Sequence, residues 1–133
     1  MNSGVAIIAS YHAHVYYEPA TTREVAARLR ERIGAQFRVQ LGRWHDVPVG
    51  PHPGAMYQVA FEVAAFERLV PWLMLNRDGL TVLVHPNTGR PRDDHLVHAL
   101  WLGGTRPLNG DTLPLSEPRE EISPIVPNTA VGA

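Results

Sequence analysis

The chain has 133 residues, 44% of them hydrophobic and 19% charged, with a formal net charge of −1. That length suits one domain able to bury roughly two thirds of its surface, and the near-zero charge removes the electrostatic case for nucleic acid or an acidic membrane as partner. Cysteine is absent, which excludes disulfides, thiolate metal sites and cysteine nucleophiles. No basic segment precedes the short apolar run Val5 to Ala9 and no stretch has the length of a membrane span, so a cytoplasmic protein is expected.

The first element is Tyr11-His12-Ala13-His14-Val15-Tyr16-Tyr17. Its alternation is that of a strand with two unlike faces. Ala13, Val15 and Tyr17 suit a core, whereas His12, His14 and Tyr16 set two imidazoles and a phenol side by side. Glu18 to Thr21 makes a turn, Thr21 or Thr22 can cap a helix, and Thr21-x-x-Glu24 has capping-box spacing. Val25, Leu29 and Ile33 then form the apolar stripe of a helix ending at Gly34. Phe37, Val39 and Leu41 alternate as a second strand, followed by a Gly-, Pro- and His-rich loop over 42–54.

Tyr57, Val59 and Phe61 mark a third strand. Phe66, Leu69, Val70 and Leu73 mark a second helix from about Ala64 to Asn76. Pro71 should kink that helix or restart it. Arg77-Asp78-Gly79 turns the chain into a fourth strand, Leu80 to His85, and a second loop runs from Pro86 to Arg92. His95 and His98 follow on a short helix or strand, with second-shell or structural roles open to both. Residues 1–105 thus form the domain, and 106–133 an extended, partly ordered tail.

The order β-α-β-β-α-β predicts an α+β, ferredoxin-like sandwich, an antiparallel sheet with two helices on one face. The first and third strands are expected parallel at the centre and the fourth antiparallel beside the first. The aliphatic parities (Ala13/Val15, Phe37/Val39/Leu41, Tyr57/Val59/Phe61, Leu80/Val82/Val84) should face the helices. His12, His14, Tyr16, Arg38, Gln40, Gln58, Glu62, Thr81, Leu83 and His85 are left on an open face. In this topology the starts of the first and third strands and the end of the fourth share one edge, so His12, His14, His52 and His85 converge. Neutral imidazole is a common ligand of iron, zinc and copper. Pro51, Pro53 and Pro86 restrain the backbone beside His52 and His85. His45 reads as an ordinary hydrogen-bonding residue and Trp44 as packing.

The motifs carry a resemblance. Tyr11 to Tyr17, Gly42-Arg43-Trp44-His45, Pro48 to Pro53, Met56 to Phe61, Leu83 to Gly89, Asp94-His95 and His98 to Gly103 resemble the DOPA 4,5-dioxygenase family, from about residue 10 to 103. The resemblance implies extradiol cleavage of a catechol such as L-DOPA by O2 at a non-haem iron(II) centre, zinc or another divalent metal being an alternative occupant. It carries over His12, His14, His52 and His85 as metal-site candidates. The working assignment is His12, His52 and His85 as ligands, with His14, then His98, as the imidazole that moves the catechol proton, helped by Tyr16. Gln58, Arg38 and Arg43 are the substrate-binding candidates, an arginine suiting a substrate carboxylate. One departure stands out, for the usual facial triad has a carboxylate and none lies beside these histidines, leaving Glu18, Glu62 or Asp94 to arrive by another route. The competing readings are a non-catalytic binding module that dimerises through its open sheet face, and a zinc- or copper-binding protein. A homodimer is expected under either reading, with a small catechol and O2 as the enzyme's partners.

Overall fold

The structure is a computed structural model that describes residues 7–118 and 121–129. In chain order it comprises β1 (Ser10–Tyr16), α1 (Arg23–Gln36), β2 (Gln40–His45), β3 (Met56–Phe61), a 3-10 turn (Val63–Ala65), α2 (Phe66–Asn76), β4 (Val82–Asn87), α3 (Pro91–Leu96), β5 (Leu100–Leu102) and a second 3-10 turn (Gly110–Thr112). The strands form a five-stranded sheet in the order β2-β3-β1-β4-β5, every neighbouring pair antiparallel. Among the described residues no helix is long and apolar enough to cross a membrane.

The alternation read from the sequence sorts the faces. Ala13, Val15, Tyr57, Val59, Phe61, Val82 and Val84 bury against Ala26, Leu29 and Ile33 of α1 and Leu69, Val70 and Leu73 of α2, with Phe37 and Val39 in the same core. Burying side chains of this kind contributes roughly 1.5–3 kcal/mol each, so this layer dominates the stability of the fold.

Four local expectations are corrected. Thr22 precedes α1 but makes no side-chain cap bond; its hydroxyl accepts from the Glu18 amide instead (2.8 Å). The helix runs past Gly34 to Gln36 and stops where Phe37 turns extended to enter the core. β2 begins later and ends later than expected, so residues 42–45 are strand, not loop. Its register shifts between Leu41 (opposite Val59) and Trp44 (opposite Tyr57), a bulge that keeps both side chains on the core side. Pro71 does not restart α2; it lies exposed inside one helix, Phe66–Asn76, whose buried residues are Leu69, Val70 and Leu73.

Two topological corrections bear on the site. β1 and β3 are antiparallel, with Tyr16 opposite Met56 and Tyr11 opposite Phe61. His52 therefore approaches from the Tyr16 end of β1, the end opposite the one expected, because β1 and β3 run head to tail. The second face is also not open. Tyr16, Met56 and Leu83 form a minor core there with Ala99, Trp101 and Leu108, delivered by the unforeseen strand β5 and the segment after it.

The chain beyond residue 105 is described for 106–118 and 121–129, the rest of the expected tail lying outside the described residues. It is tied down at several points. Arg92 donates to the carbonyls of Gly110 and Leu113, the Glu117 amide to Gly89, and Asn109 to Pro51. Asn128 and Thr129 then satisfy the edge of β2 at Val39 and Leu41, which removes an unpaired strand edge.

Pro71 supplies a test of this fold. An exposed proline inside a helix forfeits one backbone bond, so Pro71→Ala should raise stability by about 1–3 kcal/mol in urea unfolding. A loss of stability would show that the ring packs where the structure leaves it exposed.

Candidate metal centre

Backbone register builds half of the centre. His12 and His14 point to the same side of β1, and His85 of β4 lies directly opposite His12. The ring centroids are 5.1 Å apart for His12 and His85 and 5.2 Å for His14 and His85. The Nε2 atoms of His14 and His85 are 3.1 Å apart. Two imidazole nitrogens bound at right angles to one ion, each about 2.1 Å from it, would be separated by about 3 Å.

Loops build the other half. The segment between β2 and β3 is anchored at its start, where Tyr17 donates to the Asp46 carboxylate (2.5 Å) and Arg23 pairs with that carboxylate (2.9 Å). It folds back on itself through the His52 amide and the Val49 carbonyl (3.0 Å). This places the His52 ring 4.2 Å from His14 between centroids, with Nδ1 2.6 Å from the Tyr16 hydroxyl. His95 comes from α3, its ring centroid 3.8 Å from that of His85 and tilted 35° to it. α3 is held by Asp94, which is buried and accepts from both the amide and the hydroxyl of Thr88 (2.9 and 2.6 Å). Gly89, at φ +90°, permits the turn between them.

Five imidazoles thus share one pocket, with His14, His52, His85 and His95 buried and His12 partly open to solvent. Desolvation, then repulsion among the rings, lowers the pKa values of four of them: to about 4 for His12 and His52, and well below the ordinary value for His14 and His85. Burial lowers that of His95 as well. All five are therefore neutral near pH 7, the state a metal requires. His85 Nδ1–H donates to the Pro86 carbonyl (2.9 Å) and His95 Nδ1–H to the Pro91 carbonyl (2.7 Å). Each bond fixes a tautomer with a bare Nε2, the usual outer support of a metal-binding histidine. His14 Nδ1 is buried with no hydrogen-bond partner. Two sets of ring nitrogens lie close enough to hold an ion, within 4.8 Å of one another: His12, His14 and His85, and His14, His52 and His95. The donor chemistry fits a divalent transition metal.

The structure brings together His12, His14, His52, His85 and Tyr16, with His52 arriving from the end of β1 opposite to the one expected, and adds His95. Gln58 is carried onto the same sheet face, opposite His14, whereas Arg38 and Arg43 lie elsewhere. His98 is exposed and lines a cavity of about 330 Å3 with Tyr11, Phe66, Leu100 and His85 of the cluster. Arg38 and Arg43 are exposed, Arg38 beside Glu62 in a surface cleft. Gln58 pairs through its backbone with His14 and is half-buried. Neither ligand set contains a carboxylate. Asp94 is occupied by Thr88, while Glu62 and Glu18 are exposed. Sequence reasoning missed Arg106, whose guanidinium lies 5.4 Å over the Tyr16 ring. Only its place just after an unrecognised strand could have signalled it.

Comparison with known proteins places the chain in a family. The Dopa 4,5-dioxygenase family profile matches residues 11–112. A DOPA 4,5-dioxygenase from Amanita muscaria is 32% identical over 94% of this chain and 58% of its own. An uncharacterised 21.2 kDa protein from Botryotinia fuckeliana is 35% identical over 82% of this chain and 64% of its own. The chain thus spans about three fifths of the curated relatives it matches. A crystal structure of a candidate dioxygenase from Nostoc punctiforme superposes with a TM-score of 0.77 at 59% identity, covering 79% of this chain and 90% of that one.

The lowered histidine pKa values set a pH dependence for the metal-free protein. The unfolded chain binds more protons than the folded one between about pH 4 and the ordinary histidine value of 6.5. The stability is therefore complete above pH 6.5 and is lost as pH falls, each fully titrating ring adding up to about 1.4 kcal/mol per pH unit. The melting temperature of the metal-free protein should drop steeply from pH 7 to 4.5. A flat profile would contradict a buried, neutral cluster.

Proposed function

Because this chain belongs to the Dopa 4,5-dioxygenase family, we propose that it is a non-haem iron(II) extradiol dioxygenase, opening the ring of a catechol such as L-DOPA at the 4,5 bond with O2. The observation that carries this reading is the 3.1 Å approach of His14 Nε2 to His85 Nε2 inside a neutral, largely buried imidazole cluster. His12, His14 and His85 would hold the ion. His12 is the partly open member, and it lines a cavity of about 160 Å3 with Asn87, Glu117 and Ile122, which gives a catechol its approach. When bound, iron(II) supplies a Lewis acid and template for the catechol oxygens and for O2.

The chain's own groups supply the proton transfer. His52 is neutral, within ring contact of His14, and outside that ligand set. It takes the catechol proton on a ring nitrogen and returns it later. The Tyr16 hydroxyl orients His52 through its 2.6 Å bond, and burial keeps that phenol protonated by raising its pKa. This allocation differs from the one drawn from sequence: it makes His14 a ligand and gives its proton-moving role to His52. Arg106, not Arg38 or Arg43, is the cation nearest this group and is assigned to a substrate carboxylate. A small catechol and O2 are the proposed partners, in a cytoplasmic homodimer.

The all-histidine donor set also favours a second reading, a zinc- or copper-dependent protein, since three imidazoles without a carboxylate suit those ions. Metal analysis after anaerobic purification separates the two. Oxygen uptake with L-DOPA and caffeate, with a yellow ring-opened product, is expected from the iron form; uptake absent from fully iron-loaded protein would sink the enzyme reading. His85→Ala should lose both iron and turnover, and normal iron content in that variant would overturn the ligand assignment. His52→Gln should keep its iron and lower kcat by about 10²–10⁴-fold; an unchanged kcat would remove His52 from the chemistry.

A further inference from the structure

A single ion uses three of the five imidazoles, which leaves His52 and His95 with inward-facing nitrogens and no ligand of their own. These two complete the other ligand set with His14. We propose that His14, His52 and His95 form a second transition-metal site, and that zinc or copper bound there inhibits the enzyme.

His14 has a nitrogen for each ion, and serving both makes it a bridging imidazolate whose ring proton is released to solvent as the second ion binds. Its Nε2 lies against His85 Nε2, and its Nδ1 is buried with no hydrogen-bond partner among the described residues. A buried nitrogen without a hydrogen bond carries a desolvation cost that a metal ion would relieve. The two remaining ligands are already oriented. Pro91 holds the His95 ring through Nδ1 (2.7 Å), and Tyr16 holds that of His52 through Nδ1 (2.6 Å), leaving Nε2 of each for an ion. His52 and His95 arrive on separate supports, a folded-back loop and α3, so the site does not depend on one mobile segment. Two neutral imidazoles and a bridging imidazolate prefer zinc, copper or nickel to magnesium or calcium.

The inhibition rests on the proton-transfer role proposed for His52, since an ion on that ring occupies the lone pair that would take the catechol proton. The existence of the site does not rest on it.

The test is a metal count that uses no catechol. Protein holding one equivalent of iron is dialysed anaerobically against zinc chloride, and iron and zinc are both measured. Wild type should keep its iron and gain one zinc, whereas His52→Gln and His95→Gln should keep iron and gain none. A total that stays at one ion in wild type, with zinc excluded or merely replacing iron, would overturn the proposal, and so would undiminished uptake by both variants. The wild-type count decides the first point even where a variant fails to fold. Oxygen uptake measured across the same titration should fall at least tenfold as the second ion binds. Full turnover with two ions bound would overturn the inhibitory role and the assignment of His52, while leaving the site itself standing.

Discussion

Everything in this protein is arranged around the pairing of β1 with β4. A one-residue slip in that ladder would turn His12 and His14 into the apolar core and Ala13 and Val15 toward the metal centre. The register that places His12 opposite His85 also places Val15 opposite Val82 and Ala13 opposite Val84, all buried beneath α1 and α2. The same hydrophobic layer that stabilises the fold therefore fixes the spacing of three imidazoles. The site needs no separate framework in this half.

The second half is built differently. His52 and His95 come from segments with little secondary structure behind them, and hydrogen bonds do the work that a ladder does for His85. Tyr17, Arg23 and Asp46 hold one segment; Thr88 and Asp94 hold the other. The division has a chemical consequence. Ligands on strands are rigid, and a proton-transferring ring gains from a support that fixes its tautomer while leaving one nitrogen in reach. Burial serves both halves, because the same desolvation that keeps the rings neutral prepares them for a metal or a proton.

Much of this was legible in the residues. Period-two alternation identified the faces of β1, β3 and β4, and the unlike chemistry of the two faces of β1 singled out His12 and His14. His85 followed from topology. His52 was named for the wrong geometric reason, because β1 and β3 are antiparallel and the connecting segment must fold back to deliver it. His95 could not be ranked, since α3 is only six residues long and its burial arises from contacts with β4 that no local pattern encodes. The covered second face was equally hidden. β5 has three residues, and the segment after it reads as extended and polar, yet Trp101 and Leu108 close over Tyr16. Arg106 was invisible for the same reason.

The central claim is that strand register presents His12, His14 and His85 to one ion. X-ray absorption on the protein loaded with one equivalent of iron(II) tests it most directly. The account predicts a first shell of nitrogen and oxygen with the multiple-scattering signature of three imidazoles, reduced to two in His12→Ala. A shell with no more than one imidazole, or a spectrum unchanged by that substitution, would contradict it.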